Sequence, residues 1–160
     1  MNEWQNFLIA EAGAAAALTG LIFVGVSINL TKILSIPQLP DRALQALILL
    51  FTILIFSSLL LVPGQSVLLI SLEVSGLGAI IWVVATVIDI GILRKKPIPY
   101  RGKFLFTMAM TQLAVLPYLI AGIILLSGNP SGIYWIVPGI LISFLKSLLD
   151  AWVLLIEINR

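Results

Sequence analysis

Residues 43–62 read ALQALILLFTILIFSSLLLV. The stretch is twenty residues long and contains no charged side chain. A helix of about 20 apolar residues is long enough to cross the hydrocarbon core of a bilayer. The stretch therefore predicts a transmembrane helix, and it sets the class of fold to test on the rest of the chain.

The whole chain shares the apolar character of this stretch. Of its 160 residues, 61% are hydrophobic and only 10% are charged, and the mean hydropathy is +1.17. A soluble domain carries about 25% charged residues. The few polar residues outside the apolar runs leave no room for a separate water-soluble domain. We predict an integral membrane protein with a single transmembrane domain over residues 1–160.

Five apolar runs have the length of a membrane span, and they cover residues 8–31, 43–62, 67–93, 104–126 and 133–157. Proline and glycine, which end helices and form turns, occur in the connections between them. Because these connections are short, we expect consecutive helices to be antiparallel neighbours. The predicted fold is an all-α membrane bundle of five transmembrane helices.

The third run is longer than a membrane requires. With its approach it covers residues 66–93, about 42 Å of straight helix against an apolar core of about 30 Å. The helix must therefore tilt, protrude or begin with a piece that does not span. Gly76 and Gly78 lie where such a break is expected.

Basic residues predict the orientation of the bundle. Five spans place eight Lys and Arg residues on one side of the membrane and none on the other. These residues are Lys32, Arg42, Arg94, Lys95, Lys96, Arg101, Lys103 and Arg160. Because cytoplasmic segments carry the excess of basic residues, we predict an outside N-terminus and a cytoplasmic C-terminus. Four spans, the main alternative, would break this asymmetry.

Cysteine and histidine are both absent from the sequence. Their absence removes disulfides, thiolate nucleophiles, the usual zinc sites and imidazole proton relays. No catalytic residue, metal ligand or cofactor site is predicted, and an enzyme is the least favoured class. Nothing in the chain points to nucleic acid as a partner.

The first span contains the run EAGAAAALTGLIFVG, in which small residues recur every fourth position. Gly13 with Ala17 and Ala16 with Gly20 form two such pairs. Small residues at this spacing let helix backbones approach closely in a membrane. We expect this helix to be central in the bundle or at a subunit interface, and a pore-lining role is a further alternative.

Two acidic residues occupy equivalent depths near the outer boundary. Glu11 precedes Lys32, and Glu73 precedes Arg94, by the same number of residues. Their carboxylates are candidates for the outer mouth of a cation pathway. Alternatively, both side chains are simply solvated at the level of the lipid headgroups.

Lys146 and Asp150 lie inside the fifth apolar run, with Lys146 close to mid-membrane. A Lys at the centre of a span costs about 2.5–3.5 kcal/mol and is expected to be paired or hydrated. Asp150 follows at i+4 on the same helical face. The two predict either an ion pair that fastens the fifth helix or, with Asp89 and Gln112, a gate on an ion pathway.

Three segments also resemble a known family: AGAAAALTGLIFVGVSINLTKIL, LPDRALQALILL and SSLLLVPGQS. Over about residues 8–66 the chain is similar to small prokaryotic multi-span membrane proteins that are labelled modulators of the membrane-bound AAA protease. The resemblance implies a prokaryotic cytoplasmic membrane protein that binds another membrane protein.

Two functional hypotheses follow from the sequence. The first is a channel or pore-forming protein for ions or small solutes, built as a homo-oligomer because the chain is small. The second is a regulatory or scaffold subunit that binds another membrane protein, such as a membrane protease. In the second hypothesis the internal polar groups are paired with one another, and the small-residue face or the basic loop at residues 94–103 is the functional surface.

Overall fold

The computed structural model describes residues 2–95 and 101–158, and the side chains of residues 4–94, 102 and 104–157. Helix makes up 91% of it, and no strand occurs within these ranges. Five helices are long and apolar enough to cross a membrane, which confirms the all-α prediction with five helices of transmembrane length. Five residues of the orientation prediction lie outside the described side chains: Lys95, Lys96, Arg101, Lys103 and Arg160.

The described helices follow the predicted runs closely. They are α1 (Asn2–Ile28), α2 (Leu30–Ser35), α3 (Leu39–Leu60), α4 (Val67–Lys95), α5 (Arg101–Leu126), a 3₁₀ helix (Pro130–Trp135) and α6 (Ile136–Ile158). The membrane-length segments are Trp4–Ile28, Leu39–Leu60, Val67–Arg94, Phe104–Leu126 and Pro130–Glu157.

The first span ends earlier than residue 31, where the sequence placed its end. The Asn29 side-chain amide donates a hydrogen bond to the Gly25 carbonyl at 2.9 Å, and Asn29 itself leaves helical geometry with φ −108° and ψ 19°. Asn side chains compete with the backbone for hydrogen bonds in this way and interrupt helices. The short helix α2 follows as a separate element.

The break expected at Gly76 and Gly78 is absent, because α4 runs without interruption through both residues. Gly78 serves packing instead. A Cβ atom added there would lie 3.0 Å from the carbonyl oxygen of Tyr118 on α5. The missing side chain therefore lets the backbones of α4 and α5 approach each other.

The chain divides into two compact units. The first comprises Met1–Leu61 and Phe144–Arg160. Within it α1 packs against α3, and α2 contacts both. Ile33, Leu39, Ala43 and Leu154 form a buried apolar cluster that joins α2 and α3 to the C-terminal half of α6. The prediction of one transmembrane domain over the whole chain stays a prediction.

The second unit comprises Val62–Ser143. Here α4 packs along α5, and the 3₁₀ helix lies against α5. A Cβ atom at Gly122 would lie 2.4 Å from the Cα of Ser75, and one at Gly132 would lie 2.8 Å from the carbonyl oxygen of Ala121. Glycine at these positions therefore allows the close helix contacts that stabilise membrane bundles.

Candidate functional site

The ion pair predicted on the fifth span is present on α6. The Lys146 ammonium donates a hydrogen bond to Asp150 Oδ2, and both residues are only 2% exposed. One helical turn separates them, so their side chains share a face. Each side chain thereby gives the other the counter-ion that a charge in an apolar environment requires.

Arg42 joins this pair from α3, a partner that the sequence reading did not assign. Its Nη1 lies 3.8 Å from Asp150 Oδ1. The sequence treated Arg42 only as a boundary cation that reports orientation. One signal in the sequence could have indicated this contact. Arg42 and Asp150 are both predicted in the cytoplasmic half, and a long Arg side chain can extend inward from a helix end.

A second contact fastens α6 to α3 at the same level. The Ser147 hydroxyl donates to the Ala46 carbonyl at 3.2 Å, and the bond is buried. Asp150 itself is paired with two cations, Lys146 on its own helix and Arg42 on the neighbouring helix. The three charged groups alone sum to one positive charge.

Gln112, a predicted pathway residue, is engaged by helix α4. Trp82 Nε1 donates to Gln112 Oε1 at 2.9 Å, and Gln112 Nε2 donates to Thr86 Oγ1 at 3.2 Å. The amide therefore uses its oxygen and one of its two N–H donors within the second unit. Asp89, a further pathway candidate, lies on the third span and is buried in the same unit.

The two outer acids belong to different units. Glu73 is half-buried on α4 and accepts a hydrogen bond from Gln65 Nε2 at 2.8 Å. Glu11 is half-buried on α1. Glu73 therefore shares its carboxylate with a nearby amide in the described structure.

The small-residue face of α1 is exposed. Gly13, Ala16, Ala17 and Gly20 are all exposed, and a Cβ added at Gly13 or Gly20 would meet nothing within 4 Å. The side that packs inside the unit carries Leu8 and Ala15, which are 3% and 0% exposed. The Trp4–Ile28 segment is the least buried of the five membrane-length segments.

Two cavities open within the first unit. An apolar groove of about 230 Å³ runs between α1–α2 and α6, from Leu18 to Ile33 on one side and from Leu148 to Leu155 on the other. A second pocket of about 220 Å³ is more polar. It is lined by Ile36, Pro37, Gln38, Leu39, Arg42, Val153 and Glu157.

Within the described ranges, no group of three His, Cys, Asp or Glu residues could hold a metal ion. Comparison of the chain with family models, curated proteins and solved structures finds no match. The resemblance of residues 8–66 to modulators of the membrane-bound AAA protease therefore stays a prediction.

Proposed function

We propose that this chain is a regulatory or scaffold subunit of a membrane assembly, which binds a transmembrane helix of another membrane protein through the outward face of α1. The observation that carries the proposal is the exposure of Gly13, Ala16, Ala17 and Gly20 on the least buried span. The internal polar groups favour the same function, because the polar side chains predicted to line an ion pathway interact with other residues of the chain.

The geometry of α1 gives the helix two distinct sides. At about 100° per residue, the small residues centre roughly 140° from the side that carries Leu8 and Ala15. Glycine inside a helix costs about 0.8–1.0 kcal/mol relative to alanine. That cost is offset where a partner helix uses the missing side chain for close contact, which is how helices associate in lipid.

The pairing of the candidate gate residues argues against a conduit inside the chain. Lys146 and Asp150 are buried against each other, and Gln112 is bonded to Trp82 and Thr86. Side chains that line an ion pathway have to face water or the ion. The Gln112 bonds instead join α5 to α4, and Arg42 joins the pair on α6 to α3.

Glu11 also fits poorly with a conduit built around α1. By the same helical geometry it lies roughly 170° from the centre of the small-residue face. Copies that associated through that face would therefore carry their Glu11 carboxylates away from the common axis. For this reason the scaffold function is favoured over the channel, which was the first hypothesis from the sequence.

The proposal locates the subunit in the prokaryotic cytoplasmic membrane, with the N-terminus outside. The prokaryotic cytoplasmic membrane is what the family resemblance of residues 8–66 implies, and the orientation rests on the excess of basic residues, such as Lys32, Arg42 and Arg94, in the connections on one side. No catalytic step is part of the proposed role.

Cysteine cross-linking tests the proposal directly, because the chain has no cysteine of its own. Ala17→Cys lies in the centre of the small-residue face, and Ile80→Cys is the matched control on α4, where Ile80 is 60% exposed. In native membranes treated with a thiol-reactive photo-cross-linker and illuminated, we expect Ala17→Cys to give one discrete adduct with a different protein. Ile80→Cys should give no such adduct.

The size of the adduct and the flux of ions separate the alternatives. An adduct between two copies of this chain, together with ion flux through the purified protein in liposomes, would favour the homo-oligomeric channel. Equal labelling patterns at Ala17→Cys and Ile80→Cys would mean that the face meets lipid, and the proposed binding role would be wrong.

A further inference from the structure

The apolar groove of the first unit has the length of one leaflet of a bilayer. Its first wall runs from Leu18 on α1 to Asn29, the residue after that helix, and covers about 16 Å at 1.5 Å per residue. The hydrocarbon core of a bilayer is about 30 Å thick, so the wall spans about half of it. Asn29 follows the Trp4–Ile28 span, on the side predicted to be cytoplasmic. The groove therefore extends from that boundary to about the middle of the membrane.

The groove lies on a different side of α1 from the face proposed to bind another membrane protein. At about 100° per residue, the groove residues of α1 centre roughly 160° from the small-residue face. The second wall of the groove is the stretch from Leu148 to Leu155 on α6. The groove can thus be occupied whether or not the small-residue face is bound.

The size of the groove matches a hydrocarbon chain and excludes a helix. A volume of about 230 Å³ spread along the roughly 16 Å of helix gives a mean cross-section of roughly 14 Å². A helix with its side chains is about 10–12 Å wide, or roughly 80–110 Å² in cross-section. Carbon atoms pack about 3.5–4.0 Å apart, so a methylene chain has a cross-section of roughly 13 Å². An extended acyl chain therefore fits, whereas a helix of a second protein does not enter.

The lining of the groove also disfavours water as its content. Asn29 is the one polar residue among those that line it, and cavities with apolar walls stay dry. Atoms beside an empty space lose their dispersion contacts on that side. A chain that fills the space restores these contacts for both walls.

Gly25 gives the groove part of its depth. Glycine inside a helix is unfavourable relative to alanine, and a Cβ atom added at Gly25 would meet nothing within 4 Å. Packing within the chain therefore does not require a glycine here. Gly25 lines the groove, and a side chain at this position would narrow it.

Polar groups suited to a phospholipid lie at the boundary end of the groove. The Asn29 amide donates one N–H to the Gly25 carbonyl, which leaves its second N–H for an ester carbonyl at that level. Lys32 follows three residues later on α2 and is exposed. Within the ranges that the structure describes, Lys32 forms no ion pair. Its long side chain can extend to the level of the lipid phosphate.

We propose that this groove binds one acyl chain of a diacyl glycerophospholipid from the leaflet on the Asn29 side, with the ester region at Asn29 and the phosphate near Lys32. Because every glycerophospholipid carries the ester and the phosphate, the site accepts zwitterionic and anionic headgroups alike. The bound chain fills the space between α1 and α6 and contacts both helices.

Photolabelling of the full-length chain in liposomes tests this site. The liposomes contain a trace of a phosphatidylcholine that carries a diazirine near the middle of one acyl chain, and mass spectrometry locates the adducts after illumination. Ile22 lines the groove and is half-buried. Val84 on α4 precedes Arg94 by the same number of residues as Ile22 precedes Lys32, and it is 40% exposed. We expect more adducts at Ile22 than at Val84, although random collisions with lipid would favour the more exposed Val84.

Two substitutions that fill the groove identify it as the site. Gly25→Phe from the α1 wall and Ala151→Phe from the α6 wall should each abolish the adducts at Ile22 and leave those at Val84. Gly91→Phe on α4 is the matched control, because Gly91 is also half-buried and its added Cβ meets nothing within 4 Å. It should leave the adducts at Ile22 unchanged. Circular dichroism verifies that each variant is folded.

Three results would overturn the assignment. The first is labelling of Ile22 equal to or below that of Val84 in the unmodified chain. The second is unchanged labelling of Ile22 in a folded variant with phenylalanine at position 25 or 151. The third is labelling of Ile22 by a photoreactive free fatty acid that an excess of phospholipid does not reduce, which would identify a fatty acid as the ligand in place of a phospholipid.

Discussion

Asp150 is the residue on which the charged cluster of the first unit depends. It receives the Lys146 hydrogen bond on one oxygen and faces Arg42 on the other. Removing one partner of a buried ion pair leaves an uncompensated charge and typically costs about 3–5 kcal/mol. Asp150 has two cationic partners, and losing Asp150 affects them differently. Lys146 is 2% exposed and would be left as a buried charge, whereas the Arg42 side chain is 25% exposed.

We predict that Asp150→Leu destabilises the protein more than Lys146→Met. The first change leaves buried Lys146 without its counter-ion, whereas the second leaves Asp150 with Arg42. The double variant should recover much of the loss, because replacing both partners by apolar groups is often near neutral. The free energy of unfolding in detergent, measured with denaturant, gives all three values.

Simple addition of the two single losses in the double variant would show that Lys146 and Asp150 do not stabilise each other. Equal losses in the two single variants would argue against the contribution of Arg42.

Close packing of α4 on α5 depends on glycine, and Gly122 is the most constrained of the described glycines. A Cβ atom there would lie 2.4 Å from the Cα and 2.8 Å from the Cβ of Ser75. Backbone atoms of a packed helix cannot yield as a flexible side-chain end can, so any side chain at this position has to move the helices apart.

Gly122→Ala should therefore destabilise the protein by about 1–3 kcal/mol, the usual cost of overpacking. Gly76→Ala on α4 is the matched control, because its added Cβ meets nothing within 4 Å, and it should be neutral or slightly stabilising by helix propensity. Thermal unfolding in detergent compares them. A stable Gly122→Ala variant would mean that α4 and α5 are farther apart than described.

Much of the molecule's helical architecture is predictable from the sequence because the length and apolarity of a span are local properties. The five runs and the i,i+4 pair of Lys146 and Asp150 need no knowledge of tertiary contacts. At the end of α1, the Asn29 side-chain amide bonds back to the Gly25 carbonyl. A pattern of apolar residues cannot predict a side-chain hydrogen bond of this kind.

The contacts of the candidate site are less predictable because they join residues far apart in the chain. Gln112 meets Trp82 at a separation of 30 residues, and Ser147 meets the Ala46 carbonyl at a separation of 101. The sequence identified Gln112 as a polar candidate within a span, yet only tertiary geometry identifies its partners. Gly78 was misread for the same reason, since the Tyr118 backbone beside it explains the glycine.

The orientation of the chain is predicted from charge alone and is tested by reporter fusions. A reporter after Arg160 and a tag inserted at Pro97 should both report the cytoplasm, and a tag at Asn129 should report the outside. We expect the basic residues at 94–103 to keep that segment in the cytoplasm. A cytoplasmic tag at Asn129 would contradict the five-span arrangement.

The proposed binding role of α1 is tested most directly by the mass of the assembly after extraction from native membranes into lipid particles. Gly20→Leu places a large side chain on the small-residue face, where an added Cβ atom meets no other part of the chain within 4 Å. The fold should therefore remain intact, whereas a partner helix should be wedged away. Gly76→Leu, at an exposed glycine of α4 with equal room, is the control. We expect the partner to be lost from Gly20→Leu and retained by the unmodified protein and by Gly76→Leu. An assembly of unchanged mass in folded Gly20→Leu would contradict the proposal that this face binds another membrane protein.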